Sequence, residues 1–468
     1  MNEQQNNNNE NIPKIMSCGF ANIGATCYMN SALQLLFHCR SFVDFIIEDN
    51  DKKRCIKVGQ QNIEASYNKI IVNANYEEYL INGIYENCYR QLKETQEQIQ
   101  NQQQIQNQNQ NINQNSNLNV RATIQTINLY KVTNNIFKLL SSIITICKNK
   151  GVSFIDHNFL RVLKNLIDLK ISNKDGETLT PKFRLGTQHD AFDFLLELID
   201  LMVEELYVKK NIEIYVPDNM KSVVYEYETL LDEIKNETDE NYKNEINRKI
   251  LELKKNNSII GQYNGFLRIK KYFSEKYNPF IYSIKLFTMN SYECMECHCC
   301  KFSYDENIFL MLSIDNNKDN YNKKNQITLN NCLDNFTNEC IIENIKCECC
   351  NKNQTMKKYE KILRLPMTLF IVLKRFCAHG NSNRKNNDYI DIPQTLDMKK
   401  YAYHTENNTV YELRGYINHF GGMNSGHYNS SCKCLVNNTW INYDDETITP
   451  TNNEIAGQNA YVLMYELV

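Results

Sequence analysis

The spacing of the apolar residues changes near Phe280, and this change constrains the fold more than any other feature of the sequence. Before that point apolar side chains recur at steps of three and four residues, as at 136–169 and in DAFDFLLELIDLMVEELYV at 190–208, which predicts packed helices. After it, apolar and polar residues alternate in runs such as YELRGYINHF and YVLMYELV, with turn residues between them, which predicts strands. The sequence therefore predicts an α+β fold, mainly helical first and mainly stranded afterwards.

Three polar segments punctuate this pattern. Residues 1–14 form a mostly uncharged polar tail with almost nothing to bury, which predicts disorder. The Gln/Asn-rich stretch at 91–126 is interpreted as a loop insertion. A highly charged stretch within 206–275 carries thin leucine and isoleucine stripes, which predicts an exposed helical hairpin inserted into the fold. Residues 15–468, with these two insertions included, are predicted to form a single domain.

Bulk composition excludes several classes of partner. The 52 basic and 55 acidic side chains are intermixed and give a net charge of -3, so no basic face for nucleic acid is expected. The chain starts without a basic and then apolar leader, which argues against secretion. The longest apolar-rich stretch, at 136–147, is shorter than the roughly 20 residues of a bilayer-spanning helix. We expect a protein of the cytoplasm, the nucleus or both, with no membrane partner.

Two Cys-x-x-Cys pairs indicate a metal site. The chain has 18 cysteines, and without a secretory leader they should be reduced, which favours metal binding or catalysis over disulfides. Cys294 with Cys297, and Cys347 with Cys350, together offer the four sulfurs of a tetrahedral zinc site. The stretch between the pairs is longer than in a zinc ribbon, so each pair is predicted to lie on its own β-hairpin.

Neighbouring cysteines leave the ligand set open. Cys299, Cys300 and Cys349 lie close enough in sequence to replace one of the four ligands. The alternative is a group of buried structural cysteines without a metal. A closed four-sulfur site has no open coordination position, so its predicted role is structural.

Cys27 lies where small residues (GAT, 24–26) give way to an apolar helix. A sulfur at a helix N-terminus is favoured as the thiolate by the free N–H groups and the helix dipole. The amide of Asn22 lies near enough in sequence to donate a hydrogen bond to an oxyanion formed beside that sulfur. By its position alone, however, Cys27 is more simply a small buried apolar residue.

A thiol nucleophile needs an imidazole base and a group that orients the imidazole. His427 follows glycines in HFGGMNSGHY, just before a predicted strand, whereas His38 and His298 are better explained as a core residue and a metal-site neighbour. Asp444 and Asp445 follow in WINYDDETIT; considered alone, they would be a solvated turn. In GTQHDAFDFL, Asp190 considered alone would be a helix N-cap.

Several of these segments together resemble the ubiquitin-specific proteases, a papain-like family of deubiquitinating cysteine proteases. GFANIGATCYMNSALQLLFH is similar to the family's cysteine box, QHDAFDFL to its second box, and HFGGMNSGHY and WINYDDETIT to its histidine and aspartate segments. The resemblance implies Cys27 as nucleophile, Asn22 as the oxyanion-stabilising side chain, His427 as base with His419 in support, and Asp444 as its orienter. It gives Asp445 no firm role.

The resemblance also implies how a substrate and a cofactor would be held. Gln188 and Asp190 would face the ubiquitin tail, which contains arginine and ends in two glycines, and Tyr428 would narrow the channel for those glycines. The four cysteines would hold a structural Zn²⁺ at the tip of β fingers. The implied fold has a helical thumb (about 15–210), fingers (about 284–362) and a β-rich palm (about 363–468).

The implied function is hydrolysis of the isopeptide bond after the last glycine of ubiquitin, with ubiquitin and ubiquitinated proteins as partners. Two alternatives stay open at this point. One is a ubiquitin-binding scaffold that has lost catalysis, although an intact Cys27, His427 and Asp444 set argues against it. The other is a protease for another ubiquitin-like modifier with a similar tail.

Overall fold

The computed structural model describes residues 18–48, 182–314 and 327–468, with gaps at 208, 256, 380–381, 404–407, 423–424, 436–437, 453–454 and 456, and scattered positions from 136 to 171. The predicted disordered tail and the Gln/Asn-rich insertion lie outside these residues. The chain divides into two compact units, of which the first holds residues 1–26, 43–189 and 197–206 and the second holds 27–42, 190–196 and 207–468.

The described part of the first unit is mainly helical and contains one small strand pair. Strand β1 (Gly19–Phe20) pairs in parallel with β2 (Phe154–Ile155). Helical positions at 136, 140, 160 and 163 are buried, as the prediction of packed helices across 136–169 requires. The strand β2 inside that range was not predicted, because two residues carry no detectable alternation.

Apart from the scattered helical positions between 136 and 171, the described α-helices are α1 (Cys27–Phe37), α2 (Arg40–Glu48), α3 (Ala191–Leu206), α4 (Lys221–Asn236), α5 (Glu240–Leu253), α6 (Ile259–Glu275), α7 (Pro279–Ile284) and α8 (Leu329–Thr337). Helices α4 and α5 confirm the predicted charged hairpin. Helices α7 and α8 lie in the part of the sequence that was predicted to be strand, and each begins at a side-chain cap, Asn278 and Thr328 respectively.

The second unit is built around an eight-stranded sheet. Seven of its strands lie in the order β17-β16-β15-β14-β18-β9-β5, and β13 pairs with β14 outside this path. Their bounds are β5 (Phe309–Ser313), β9 (Thr368–Lys374), β13 (Thr395–Asp397), β14 (Val410–Gly421), β15 (Gly426–Lys433), β16 (Trp440–Asp444), β17 (Thr447–Thr451) and β18 (Ala460–Leu467). The alternating runs of the sequence supply these strands, as predicted.

Helix α1 packs on the sheet at β14, β15 and β16, and all of its residues are buried. The contact is close at Gly415, where an added Cβ would lie 2.9 Å from Leu35 Cδ1 and 3.0 Å from the sulfur of Cys432. His38, just after the helix, is fully buried, and its Nε2 lies 2.9 Å from the hydroxyl of Tyr443 on β16. These contacts fix the last turn of α1 against β14, β15 and β16.

A second sheet of four strands, in the order β4-β3-β8-β7, carries the two cysteine pairs. Its bounds are β3 (Leu286–Cys294), β4 (Cys300–Asn307), β7 (Cys340–Lys346) and β8 (Asn353–Arg364). The β3–β4 turn contains Cys294 and Cys297, and the β7–β8 turn contains Cys347 and Cys350, so the prediction of one hairpin per pair is confirmed. Because β3 pairs with β8, the two turns lie side by side.

Two short pairs complete the described strands: β6 (Ile327–Thr328) with β12 (Ile390–Asp391), and β10 (Phe376–His379) with β11 (Ser382–Lys385). The core of the second unit is formed by side chains of β5, β9, β14 and β18 together with α8. Among the described residues, no helix combines the length and the apolar character needed to cross a membrane. The architecture is the mixed α+β fold that the sequence predicted.

Candidate active site

The loop at 22–26, which leads to Cys27, is held by the side chain of Asn22. The Asn22 Oδ1 accepts hydrogen bonds from the backbone N–H groups of Gly24 (3.0 Å) and Thr26 (3.2 Å). Gly24 has φ +118° and Ala25 has φ +53°, so the chain turns in the left-handed region just before the helix. The oxygen of Asn22 is thus committed to this turn, and the role of its amide nitrogen as an oxyanion donor stays a prediction.

Cys27 is the first residue of α1 and is 4% exposed. Burial raises the pKa of its thiol, the backbone N–H of Tyr428 works in the opposite direction, and the charge of Asp445 raises the pKa further. The N–H groups of Cys27 and Tyr28 at the helix N-terminus lower this pKa, as expected from the sequence, but desolvation of the thiol outweighs them. In this structure the thiol needs a base.

His427 and Asp444 form a hydrogen bond of 2.5 Å between His427 Nε2 and Asp444 Oδ1. They come from adjacent strands, His427 near the start of β15 and Asp444 at the end of β16, and both side chains are about two-fifths exposed (42% and 43%). The residue after His427 is Tyr428, whose backbone contacts the thiol of Cys27. The structure thus brings the predicted base and its orienter together, next to the predicted nucleophile.

Asp445 is placed by a contact that the sequence analysis missed. It lies in the two-residue turn between β16 and β17 with φ +51°, and its Oδ1 accepts a hydrogen bond of 2.8 Å from Asn30 Nδ2. One side-chain ligand atom from each of Asp445, Asp444 and His427 lies within 4.8 Å of the others. Asn30 follows Cys27 by three residues, so helical spacing placed it on the same face as the thiol, and that was the signal available.

His419 supports this region by packing. It faces Tyr428 across β14 and β15, and the two rings have centroids 4.6 Å apart. Burial lowers the pKa of His419 to about 4, and the charges of Lys385 and His427 act in the same direction, so His419 is neutral at physiological pH. The buried Lys385 ammonium donates to the backbone oxygen of His419 (2.6 Å) and fixes β14 at this point.

The N-terminus of α3 contains the predicted substrate-facing Asp190. Its carboxylate caps the helix by accepting from the N–H groups of Phe192 (2.7 Å) and Asp193 (3.3 Å), and the hydroxyl of Tyr461 donates to its other oxygen (2.9 Å). Burial and the neighbouring Asp193 raise the pKa of Asp190 to about 6. The helix-cap role is therefore present, and Tyr461 is a partner that the sequence analysis did not identify.

Tyr428 joins the same helix end to the nucleophile. It is 3% exposed, its hydroxyl interacts with the backbone of Ala191, and its own backbone contacts Cys27. Gln188 is half-buried and belongs to the first unit together with Asn22, while the other predicted site residues belong to the second. Substrate contacts for Gln188, Asp190 and Tyr428 stay predictions.

The four predicted ligands Cys294, Cys297, Cys347 and Cys350 form one cluster. Their sulfurs all lie within 4.8 Å of one another, with Cys294 to Cys350 at 3.9 Å and Cys297 to Cys347 at 3.6 Å. A tetrahedral zinc with sulfurs at 2.3 Å has sulfur–sulfur edges of roughly 3.8 Å, so the cluster fits such an ion. The backbone N–H of Cys350 also donates to the sulfur of Cys347 (3.4 Å).

The neighbouring cysteines take other positions. The Cys299 thiol points to the backbone oxygen of Leu251 (3.9 Å), and the Cys300 thiol to that of His298 (3.8 Å). Cys349 interacts with Cys297 at the edge of the cluster. The geometry favours the four-cysteine set as the group able to bind a metal.

The chain was compared with known proteins and structures. The family described as ubiquitin carboxyl-terminal hydrolase matches residues 18–465. Ubiquitin carboxyl-terminal hydrolase 2 of Gallus gallus is 30% identical over 184 residues, which are 38% of this chain and 50% of that protein. Ubiquitin carboxyl-terminal hydrolase 21 of Homo sapiens is 29% identical over 191 residues, which are 40% of this chain and 33% of that protein. The matches thus span at most half the length of these relatives.

Solved structures show the same fold. A SAGA DUB module containing Ubp8, bound to ubiquitin aldehyde, has a TM-score of 0.54 at 19% identity and covers 98% of this chain and 71% of that chain. The same kind of module bound to monoubiquitin has a TM-score of 0.55 at 18% identity and covers 97% and 70%. With a family match that runs almost from end to end and the predicted base and orienter in contact beside Cys27, the chain belongs to the ubiquitin carboxyl-terminal hydrolase family, as its resemblance to the ubiquitin-specific proteases implied.

Proposed function

We propose that the protein is a deubiquitinase, a thiol hydrolase that cleaves the isopeptide bond after the C-terminal glycine of ubiquitin. The observation that carries this proposal is the His427–Asp444 hydrogen bond, made directly beside the backbone group that contacts Cys27. Family membership supports the reaction class. Ubiquitin as ligand is supported by the two Ubp8 modules, which are bound to ubiquitin.

The first step is activation of the nucleophile. Because Nε2 of His427 is engaged by Asp444, Nδ1 is the nitrogen that accepts the thiol proton. The carboxylate of Asp444 holds the ring orientation and stabilises the imidazolium that forms. The buried, protonated thiol of Cys27 is converted to the nucleophilic thiolate when substrate is in place.

The thiolate of Cys27 then attacks the carbonyl carbon of ubiquitin's last glycine. The N–H groups at the start of α1 stabilise the oxyanion, together with the amide of Asn22 as the predicted side-chain donor. One such donor lowers the activation free energy by about 3 to 4 kcal/mol. His427 gives its proton to the departing lysine amine, which leaves a thioester on Cys27. Water, deprotonated by His427, attacks the thioester, and ubiquitin departs with a free carboxylate as the thiol is restored.

The predicted tail-binding residues fit a basic, extended peptide. Above pH 6 the carboxylate of Asp190 is ionised at the N-terminus of α3 and suits an arginine of the ubiquitin tail. Gln188 precedes it and can hydrogen-bond an extended backbone. Tyr428 lies between Cys27 and the start of α3, where a bulky residue excludes all but glycine from the approach to the thiol.

The metal has a structural role in this proposal. Cys294, Cys297, Cys347 and Cys350 would hold Zn²⁺, which when bound cross-links two β-hairpins and has no open position for catalysis. The chain's own contribution is the pairing of β3 with β8, which sets the two cysteine turns side by side.

A direct test uses ubiquitin carrying a fluorogenic amide at its C-terminus, together with an isopeptide-linked diubiquitin. Wild-type protein is expected to cleave both, and Cys27→Ala to reduce cleavage to background. The matched control is Cys340→Ala, which removes an exposed thiol and should keep wild-type activity. Cleavage by Cys27→Ala at the wild-type rate would overturn the proposal.

Covalent capture separates the alternatives. Ubiquitin and other ubiquitin-like modifiers, each with an electrophile at the C-terminus, are incubated with the protein, and the labelled cysteine is located by mass spectrometry. Labelling of Cys27 by ubiquitin supports the proposal. Labelling of Cys27 by another modifier alone would mean that the substrate is that modifier and not ubiquitin. Binding of ubiquitin without any labelling would indicate a ubiquitin-binding scaffold without catalytic activity.

A further inference from the structure

Helices α4, α5 and α6, with the chain that leads into them, form a small body of their own, which we call the helical insertion (residues 207–275). Its core contains Met220, Val224, Tyr227, Leu230, Ile246, Ile250, Ile260 and Tyr263. This core explains why so charged a segment is ordered. Its contacts with the rest of the second unit indicate what the helical insertion does.

Helix α6 packs closely on the four-stranded sheet that carries the cysteine turns. An added Cβ at Gly261 would lie 2.5 Å from the ring of Phe302, and one at Gly265 would overlap Leu363. The hydroxyl of Tyr304 donates to the backbone oxygen of Gly261 (2.7 Å). Two glycines one turn apart thus allow the helix backbone to approach β4 and β8.

The end of α5 reaches the first cysteine turn. The backbone N–H of Cys300 donates to the oxygen of Lys254 (3.1 Å), and Lys255 forms an antiparallel bridge with Cys299. The Cys299 thiol points to the oxygen of Leu251. The helical insertion is therefore joined to this turn by backbone pairing, as an added edge of the sheet would be.

The same segment also reaches the second cysteine turn. The ammonium of Lys254 lies 3.8 Å from the carboxylate of Glu348, which stands between Cys347 and Cys349. The side chain of Leu251 packs with the cysteines of both turns. One short stretch of chain, residues 251–255, therefore bridges two turns that belong to different hairpins.

The charges of this segment suit a metal bound by thiolates. Four thiolates around a divalent ion leave a net charge of about -2, which positive neighbours stabilise. Both lysines are placed at the cysteine turns by geometry, because the ammonium of Lys254 lies 3.8 Å from Glu348 and Lys255 forms a backbone bridge with Cys299. Each lysine also has an acidic partner, Glu252 for Lys255 and Glu348 for Lys254.

We propose that residues 251–255 are an outer part of the metal site, so that metal binding and docking of the helical insertion stabilise each other. The proposal rests on metal binding by the four cysteines and goes beyond it by assigning Lys254, Lys255 and the helical insertion to the site. The coupling is reciprocal: a change that loosens the docking of the helical insertion lowers the affinity for the metal, and removal of the metal loosens that docking.

The first experiment measures metal affinity. The full-length, zinc-loaded protein is titrated with a chromophoric zinc chelator, and Lys254→Gln/Lys255→Gln is expected to bind zinc about 10-fold more weakly than wild type. The control is Lys243→Gln/Lys249→Gln, which removes two lysines of α5 that pair with Glu240 and Glu245 away from the cluster. This control should bind zinc as wild type does, and equal affinity in all three proteins would overturn the proposal.

The second experiment uses the wild-type chain alone, so it does not depend on a variant that folds. Hydrogen exchange is compared between zinc-loaded and chelated protein. Faster exchange is expected in the last turn of α5 and in residues 251–255, with β14 and β18 unchanged as an internal reference. Unchanged exchange in α5 would overturn the coupling, and a wild-type chain that binds no zinc would overturn both the site and the coupling. Neither result would affect the proposed thiol hydrolysis, which is measured separately.

Discussion

The ring of His38, which directly follows α1, hydrogen-bonds the hydroxyl of Tyr443 on β16 with an Nε2 to Oη distance of 2.9 Å. His38 also hydrogen-bonds the backbone oxygen of Gln34 through Nδ1 (2.7 Å), so both ring nitrogens are engaged. Burial lowers the pKa of His38 to about 4, which keeps the ring neutral. Since Tyr443 immediately precedes Asp444, this bond ties the helix that begins with Cys27 to the strand that orients His427.

Replacing Tyr443 by phenylalanine tests the contribution of this hydrogen bond to stability. Tyr443→Phe leaves the Nε2 of a fully buried imidazole without its partner, which costs about 1 to 3 kcal/mol of unfolding free energy. Urea unfolding is the measurement. Tyr389→Phe, at a tyrosine that is 41% exposed, should leave the midpoint unchanged. Equal stability of Tyr443→Phe and wild type would contradict the role of this bond.

Asp445→Asn should make Cys27 more reactive toward a simple alkylating agent. The carboxylate of Asp445 raises the pKa of the thiol, so removing its charge lowers that pKa and increases the thiolate fraction at neutral pH. We expect alkylation of Cys27 by iodoacetamide to be at least about twofold faster, with the gain shrinking at high salt. Mass spectrometry of the Cys27 peptide gives the rate, and slower alkylation would show that this sign is wrong.

Gly426→Ala should impair catalysis through the backbone. An added Cβ would lie 2.5 Å from His419 Nε2 and would also overlap the backbone oxygen of Phe420, so β15 must shift next to His427. A displacement of about 1 Å in a catalytic group can cost on the order of 100-fold in rate. We expect kcat for the fluorogenic ubiquitin substrate to fall at least about 10-fold.

The matched variant for that experiment lies in the same turn. At Gly422 the nearest atom to an added Cβ is 4.0 Å away, so Gly422→Ala should retain kcat within about twofold of wild type. If both glycine variants lose activity equally, the close approach at position 426 is not the cause.

Asp190→Asn should flatten the pH dependence of stability in mildly acidic solution. Folding raises the pKa of Asp190 from 3.8 to about 6, so the folded state binds this proton more tightly than the unfolded chain does. The stability that depends on Asp190 is therefore greatest below pH 4 and decreases as the pH rises toward 6. Asparagine keeps the cap without the charge. Urea unfolding of both proteins at several pH values should show Asp190→Asn gaining on the order of 1 to 3 kcal/mol relative to wild type between pH 4 and 7.

If the difference in unfolding free energy between the two proteins stays constant across that pH range, the buried carboxylate of Asp190 is not the source of the pH dependence. A loss for Asp190→Asn that grows with pH would mean that the ionised form is favoured, contrary to the burial around it.

Local patterns predicted the elements, and the resemblance of short motifs to those of a known family predicted the main site residues, because both signals are local in sequence. Alternation over 410–421 and 460–467 is enough to identify β14 and β18, and a cysteine after small residues marks the start of α1. The capping residue Thr328 was a local signal too, but it lay inside a region dominated by alternation, and α8 was therefore missed. Short helices are easily overlooked in this way, since they bury few residues of their own.

The remaining features depend on contacts between distant parts of the chain. Helical spacing places Asn30 on the same face as the thiol, but its pairing with Asp445, like that of Tyr461 with Asp190, depends on how strands pack beside helices. The protonation of Cys27 is a balance between burial and N–H groups, and its sign requires the packed structure. The contact of residues 251–255 with both cysteine turns likewise required the position of α5.

The order of strands in the eight-stranded sheet has a consequence for biosynthesis. Strand β18 lies between β14 and β9, although it is made last of all the strands described. Until residues 460–467 have left the exit tunnel of the ribosome, β14 and β15 can pair as a hairpin once they emerge, but β9 and β5 lack the strand that joins them to it. The emerging polypeptide must therefore hold an incomplete, partly exposed sheet until that segment leaves the exit tunnel, and the thiol and the imidazole reach their final support only then.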